Sequence, residues 1–260
     1  MKFAKKSLGQ NFLIDKNIIK KVLNLTNFEN RDVIEIGPGK AALTEEILKK
    51  KPKSLSIIEM DNNLANKLKN NYFKTKLVKV YNIDVLKLNL ELLVKKNSII
   101  IGNLPYNISS QILVKVLRFK KWPPLFKDLI FMFQKELGEK IIGKYSSPNY
   151  GRLSILSNYR LKMKKKFLIS PNCFFPKPKV TSQIIHFQPK MTKTFTIKKI
   201  QNLEKITNVI FSNKRKMINK NIKKLINSKK LKKIPEINLN LRPSDIKPEI
   251  YYKITQLYEE

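Results

Sequence analysis

The chain has 260 residues, 42% of them hydrophobic, enough for one large domain and a small second one. Its 54 Lys and Arg against 19 Asp and Glu give a formal net charge of +35, which points to a polyanionic partner, most simply nucleic acid, with a lysine-biased genome as the other source of the excess. One cysteine, Cys173, excludes an intrachain disulfide and a cysteine metal cage, one histidine, His186, excludes a multi-histidine site, and no apolar run approaches the roughly 18 residues of a membrane-spanning helix.

Met1 to Lys6 lack the apolar stretch of a signal peptide, so a cytoplasmic protein is expected. Ile18, Ile19, Val22 and Leu23 are spaced for one face of a short helix over 16–25, with Asp15 as its N-cap. Asp32 to Gly37 reads as a strand entering a glycine turn, and Ala41 to Lys51 as a helix stopped by Pro52. Leu55 to Glu59 is a second strand, followed by a helix to about Asn71. Leu77–Tyr81, Ser98–Gly102 and Asp128–Gln134 are three further strands with helical segments between them. This alternation predicts an α/β fold, a parallel sheet with helices on both faces. Thr181 to Gln188 alternates, and His186 within it is expected to be a satisfied strand residue. Lysine runs such as Lys164-Lys165-Lys166 read as solvated faces. Beyond about residue 190, Ile200, Leu203, Ile206, Ile210 and Phe211 repeat at helical spacing, as do Met217, Ile218, Ile222, Leu225 and Ile226. A last helix from near Pro243-Ser244 carries Ile246, Ile250, Ile254 and Leu257. The expected domains are therefore 1–190, α/β, and 191–260, all-helical.

Gly37-Pro38-Gly39-Lys40-Ala41-Ala42 leaves the first of these strands and opens a helix. Its glycines permit a tight turn and close approach of a ligand to the backbone. Glu59 ends the second strand, 20 residues beyond Gly39, where a carboxylate can accept both hydroxyls of a ribose. These features alone also fit a dinucleotide. Asp84 follows the third strand, where it can receive an adenine amino group, and Asn103 follows the fourth. Each acid taken singly is an ordinary loop carboxylate. Their joint placement at successive strand ends, where open α/β sheets bind ligands, fits S-adenosylmethionine better than NAD.

Asn103-Leu104-Pro105-Tyr106 is the most informative segment. Pro105 fixes its own φ and biases Leu104 toward extended backbone, so the carbonyls are held in place. Asn103 adds a side-chain acceptor and Tyr106 a ring for stacking. Such a pocket suits a flat nucleobase with an exocyclic amine and matches the tetrapeptide of amino-group methyltransferases. The alternative is an ordinary strand-to-loop turn containing a proline.

Further stretches run in order over about residues 5–190: Leu8-Gly9-Gln10-Asn11-Phe12-Leu13, Glu35-Ile36-Gly37-Pro38-Gly39, Ile58-Glu59-Met60-Asp61, Gly102 to Ser109, Gln134-Lys135-Glu136, Tyr150-Gly151-Arg152-Leu153-Ser154 and Phe174 to Ser182. With them the chain resembles the ribosomal RNA adenine dimethyltransferase family, in particular the type that acts on the bacterial small subunit. The helical tail matches more loosely, through Phe211 to Lys216 and Leu241-Arg242-Pro243. The resemblance implies a Rossmann-like S-adenosylmethionine-dependent methyltransferase domain and a small C-terminal helical domain that binds RNA or the ribosome. It implies that Asn11, Leu13, Gly37, Glu59, Asp84 and Asn103 touch the methyl donor, and that Tyr106 and Phe174 sandwich the target adenine. Read from its residues, the stretch from Pro171 to Pro178 is a stiff loop presenting aromatics, or else a hydrophobic plug made by Phe174 and Phe175. In departure from the family pattern, Ala41 stands where a second flexible glycine is frequent, and Lys140 and Lys214 where arginine is usual, which weakens bidentate RNA contacts there.

The reaction implied is dimethylation of the exocyclic amines of two adjacent adenosines near the 3′ end of 16S rRNA, in an immature small subunit, by a monomer that needs neither metal nor membrane. The catalytic set expected for it is Asn103, Leu104, Pro105, Tyr106 and Phe174. Asn103 and the Leu104–Pro105 carbonyls accept the amine's hydrogens, and the aligned reactants need no general base. Two rivals remain. One is the large-subunit, macrolide-resistance type, against which the Gly9-Gln10-Asn11-Phe12-Leu13 start speaks. The other is an RNA-binding factor on the same fold without methylation, against which intact Asn103, Glu59 and Asp84 speak.

Overall fold

The computed structural model describes residues 10–191 and 194–260. Leu8 and Gly9 of the first resembling stretch, and Met1 to Lys6, lie outside the described residues.

β1 (Phe12–Leu13) precedes α1 (Lys16–Leu23), whose cap is Asp15: its carboxylate accepts the N–H groups of Asn17 at 2.8 Å and Ile18 at 3.0 Å. The alternation then runs β2 (Asp32–Ile36), α2 (Ala42–Lys49), β3 (Ser54–Glu59), α3 (Asn62–Tyr72), β4 (Val78–Asn82), β5 (Ile99–Asn103), α4 (Ser109–Leu117) and β6 (Asp128–Gln134). After it come α5 (Lys135–Ile141), α6 (Arg152–Arg160), β7 (Leu161–Ile169), β8 (Phe174–Phe175) and β9 (Ser182–Pro189). The chain ends in α7 (Ile200–Phe211), α8 (Asn219–Ile222), α9 (Ser228–Leu231) and α10 (Pro248–Glu259).

Seven strands form one sheet in the order β4-β3-β2-β5-β6-β9-β7, and β1 pairs with β8 in a separate antiparallel ribbon. The β4-β3-β2-β5-β6 stretch is parallel, as the alternation requires. Its central strands read as unbroken apolar runs such as Ile99-Ile100-Ile101 because both their faces are buried. The sheet as a whole is mixed, since β9 runs antiparallel to β6. The Lys164-Lys165-Lys166 run belongs to edge strand β7, where Lys162, Lys164, Lys165 and Lys166 are exposed. Lysines on an open edge discourage further strand pairing.

Asp128 opens β6, at the amino edge of the parallel strands. Its buried carboxylate accepts from His186 Nε2 at 2.7 Å, Gln188 at 2.9 Å and Thr26 at 2.9 Å and pairs with Arg31 at 2.8 Å. Burial alone would raise its pKa, but these partners hold it well below the usual carboxylate range. His186 is thus a strand residue satisfied at Nε2 alone: its buried Nδ1 has no hydrogen-bond partner among the described residues, so the expectation of a satisfied histidine holds only in part.

The chain divides into two units, residues 1–138 with 162–189, and residues 139–161 with 190–260. The second differs from the 191–260 expected by taking in the segment that ends in α6. Tyrosines make that connection: Tyr150 Oη donates to the Ile246 carbonyl at 2.9 Å, Tyr252 Oη to the Ile155 carbonyl at 3.1 Å, and Tyr159 Oη accepts the Ile197 N–H at 3.0 Å. Two expected helices are shorter here. Residues 217–226 hold only the single turn α8, and the last helix begins at Pro248, after a 3-10 turn over Pro243–Asp245. Proline favours the first helical position, and Pro248 takes it.

Candidate active site

The chain builds β2, β3 and β4 outward, then returns to lay β5 on the other side of β2. Ligands of open α/β sheets bind at such a reversal, beyond the carboxyl ends of the strands. The register aligns those ends: Ile36 pairs with Ile58 and with Gly102, Glu59 with Asn82, and Asn103 with Met132. A cavity of about 290 Å³ opens there. Asn11, Leu13, Gly37, Glu59, Asp84, Asn103, Leu104, Pro105 and Tyr106 all line it.

Gly37 and Gly39 hold left-handed backbone, at φ 70° and 58°. A Cβ on Gly37 would lie 3.3 Å from the Asn103 carbonyl oxygen, and one on Gly39 would collide with the Phe12 ring at 2.6 Å. The turn is therefore a close packing of backbone against the end of β5 and against β1. Ala41 also takes the left-handed form, at φ 69°, which explains why glycine is frequent there.

Glu59 is buried, and its two carboxylate oxygens accept the Asp61 N–H at 2.9 Å and, more loosely, the Gly39 N–H at 3.4 Å. Burial raises its pKa, and these backbone donors oppose the rise. Each oxygen keeps a further lone pair for a ligand hydroxyl. Asp84 is half-buried, and its Oδ1 accepts the Leu86 N–H at 2.8 Å. Asn103 Nδ2 donates to the Asn11 carbonyl at 2.8 Å. That bond orients the amide so that its oxygen is presented as an acceptor. In the following turn the Pro105 carbonyl takes the Ile108 N–H at 3.2 Å, and the Tyr106 carbonyl takes the Ser109 hydroxyl at 3.1 Å. Tyr106 Oη and Ser182 Oγ are 2.5 Å apart, which fixes the tyrosine ring.

Phe174 is placed differently from the expectation. It is 3% exposed, packs in the core cluster with Leu13 and Ile184, and does not line the cavity. The plugging alternative describes Phe174, whereas its neighbour Phe175 is 53% exposed.

Glu35 escaped the sequence reading. It lies within the fully buried strand β2 and lines the cavity, and Thr44 Oγ1 donates to its Oε2 at 2.7 Å. Among the described residues its Oε1 has no hydrogen-bond partner. Burial pushes its pKa up to about 8, against the Thr44 bond, and the Glu59 carboxylate adds to the rise. The signal was available: a lone acid inside the apolar run Val33-Ile34-Glu35-Ile36 is costly unless a ligand or partner meets it.

Backbone room at the glycine turn, two buried carboxylates able to meet a cation, and an amide oxygen set for an amine suit a sulfonium methyl donor beside an amino acceptor. The fold and this arrangement define a Rossmann-like methyltransferase. A model of the ribosomal RNA adenine dimethylase family matches residues 1–260, and the chain belongs to that family. It is 44% identical over 258 residues to "Ribosomal RNA small subunit methyltransferase A" of Pelagibacter ubique, covering 99% of this chain and 97% of that protein. It is 38% identical over 257 residues to the protein of the same name from Malacoplasma penetrans, covering 97% and 91%. Among solved structures, a dimethyladenosine transferase from Plasmodium falciparum matches with a TM-score of 0.78 over 95% of this chain and 97% of that one; at 23% identity this likeness concerns the fold alone. Family and fold imply S-adenosylmethionine as the methyl donor. Among the described residues no group of His, Cys, Asp and Glu is arranged to hold a metal ion, and no helix is long and apolar enough to cross a membrane.

Proposed function

We infer that the protein dimethylates the exocyclic amines of two adjacent adenosines near the 3′ end of 16S rRNA, working on an immature small ribosomal subunit. The observation that carries the chemistry is the Asn103–Asn11 bond, because it commits the Asn103 amide to accepting from an amine. The small-subunit assignment is supported by the names of the two relatives above, each matching nearly the whole chain.

The donor, when bound, supplies an electrophilic methyl group on a sulfonium. Gly37 and Gly39 let it approach the backbone, Glu59 receives its ribose hydroxyls, and Asp84 its adenine amine. Glu35 and Glu59 offset its positive charge. The adenine amine is a poor nucleophile because its lone pair is delocalised into the ring. Asn103 Oδ1 and the Leu104 carbonyl accept its two hydrogens and favour a pyramidal, attacking nitrogen, since the neighbouring Pro105 and Tyr106 carbonyls are already engaged. Tyr106 stacks on the base. Alignment of two bound reactants supplies much of the rate, and the amine proton becomes acidic as the new bond forms. The helical unit is assigned to gripping the RNA particle.

The test is mass spectrometry of adenosines in rRNA from cells with and without this protein. Loss of dimethyladenosine from the small-subunit RNA alone is expected. Unchanged small-subunit adenosines would overturn the assignment, and loss from the large subunit would favour the macrolide-resistance type.

A further inference from the structure

The turn that carries Asp84 is tied to α4 by a lysine for which the reading above has no task. Asp84 Oδ1 accepts the Leu86 N–H at 2.8 Å, and the Asp84 carbonyl accepts the N–H groups of Lys87 at 2.9 Å and Leu88 at 3.1 Å. Leu86 is held from its other side by Lys115, whose Nζ reaches over from α4 and donates to the Leu86 carbonyl at 2.7 Å. An ammonium donor makes this the stronger kind of hydrogen bond. Among the described residues no other donor meets that carbonyl. Leu86 lines the cavity, and it also lines a second groove along α4 that Lys115 shares with Lys121. At Leu86 the turn thus has open space on both sides, and its position there is set by these hydrogen bonds more than by packing. α4 itself starts on the acceptor side of the cavity: the Ser109 hydroxyl in its first turn donates to the Tyr106 carbonyl at 3.1 Å.

We propose that Lys115 is a positioning residue for methyl-donor recognition: by holding the Leu86 carbonyl it fixes the turn so that Asp84 Oδ2 is presented to the exocyclic amine of the donor's adenine. The proposal rests on the reading above that gives Asp84 that amine. Lys115 does not line the cavity, so it acts through the turn. With Oδ1 committed to the Leu86 N–H, Asp84 keeps Oδ2 for the ligand, and where Oδ2 points follows from where Leu86 lies. Removing the ammonium leaves the carbonyl of a half-buried residue without its donor, and the turn shifts to expose that carbonyl to water. The adenine amine then loses its acceptor. Glu59 and the glycine turn, which Lys115 does not touch, still hold the rest of the donor. The signature is therefore lost selectivity for the adenine amine and not a general loss of donor binding.

Calorimetry on the full-length protein compares S-adenosylhomocysteine with S-inosylhomocysteine, which carries a carbonyl where adenine has its amine. The variants are Lys115→Met, which keeps the apolar stem, Lys115→Arg, which keeps a cationic donor, Lys121→Met, which removes a charge from the same groove, and Asp84→Ala. The wild type is expected to prefer the adenosyl ligand by roughly 10- to 150-fold, the worth of a hydrogen bond to a charged group. Lys115→Met should weaken the adenosyl ligand roughly 3- to 10-fold, the net worth of one ordinary hydrogen bond, and bind the inosyl ligand no less well. Lys115→Arg and Lys121→Met should keep the wild-type preference. In an Asp84→Ala background, Lys115→Met should have no further effect. An undiminished preference in Lys115→Met would overturn the proposal. So would an equal loss for both ligands, which marks a merely structural lysine. If the methionine variant fails to fold, Lys115→Gln, which lacks both the charge and the reach, decides by the same ratio. Equal affinity of the wild type for the two ligands would instead remove Asp84 from the adenine amine, and with it the reading beneath the proposal.

Discussion

Ionising Glu35 in the ligand-free protein places an unpaired charge inside the sheet, and this makes stability depend on pH in a calculable way. Its carboxyl rises from the usual 4.5 to about 8 on folding. At about 1.36 kcal/mol per unit, the ionised form costs at most about 5 kcal/mol of stability. A raised acid pKa means that the folded state binds the proton more tightly. The stabilisation is therefore fully present below about pH 4.5, fades as pH rises, and is gone above about pH 8. Glu35→Gln keeps the shape and an oxygen for the Thr44 hydroxyl but cannot ionise. Thermal melts of both proteins at pH 5 to 9, without ligand and at constant ionic strength, should diverge. The wild type should lose up to roughly 10–20 °C relative to the variant across that window. Glu59, also raised, titrates in both proteins and cancels in the difference. Adding the positively charged donor reverses the effect: its binding near pH 7 should release more protons from the wild type than from Glu35→Gln, which calorimetry in buffers of different ionisation enthalpy detects. Parallel melting curves for the two proteins would refute the assignment of a buried, proton-holding Glu35.

Asn103→Ala should lower turnover on the order of 100-fold while leaving donor affinity close to the wild type, since its oxygen acts on the amine; near-normal single-turnover rates would remove it from the chemistry. Glu59→Ala should weaken S-adenosylmethionine binding by about 1.5–3 kcal/mol in calorimetry, the worth of hydrogen bonds to a charged group. Phe174→Ala should cost about 3–5 kcal/mol in urea unfolding, as a core phenylalanine does, and an unchanged midpoint would show that the ring is not a core residue. Deleting residues 191–260 removes the carbonyls and N–H that Tyr150 and Tyr159 use, so the truncated chain should melt lower and be cut by protease within 139–161; a fully stable truncation would contradict the division of the chain seen here.

Much of the site was legible in the chain, for a local reason. A glycine turn, an acid at a strand end and a proline-fixed tetrapeptide are each specified by a few consecutive residues. The alternation of strands and helices then dictates that Gly37, Glu59, Asp84 and Asn103 emerge on one edge. The apolar spacing of Ile200 to Ile210 likewise announced a helix by itself. Tertiary structure decided what depends on partners distant in sequence. The direction of β9 follows from its pairing with β6, and the place of residues 139–161 from tyrosines that reach across to 195–252. The environment of Glu35 follows from β2 being covered on both faces. The choice between Phe174 and Phe175 was beyond the sequence because both are aromatic and adjacent. Only the pairing of β8 with β1 sets which ring enters the core and which meets solvent, since in a strand one residue of register is the whole difference between the two faces.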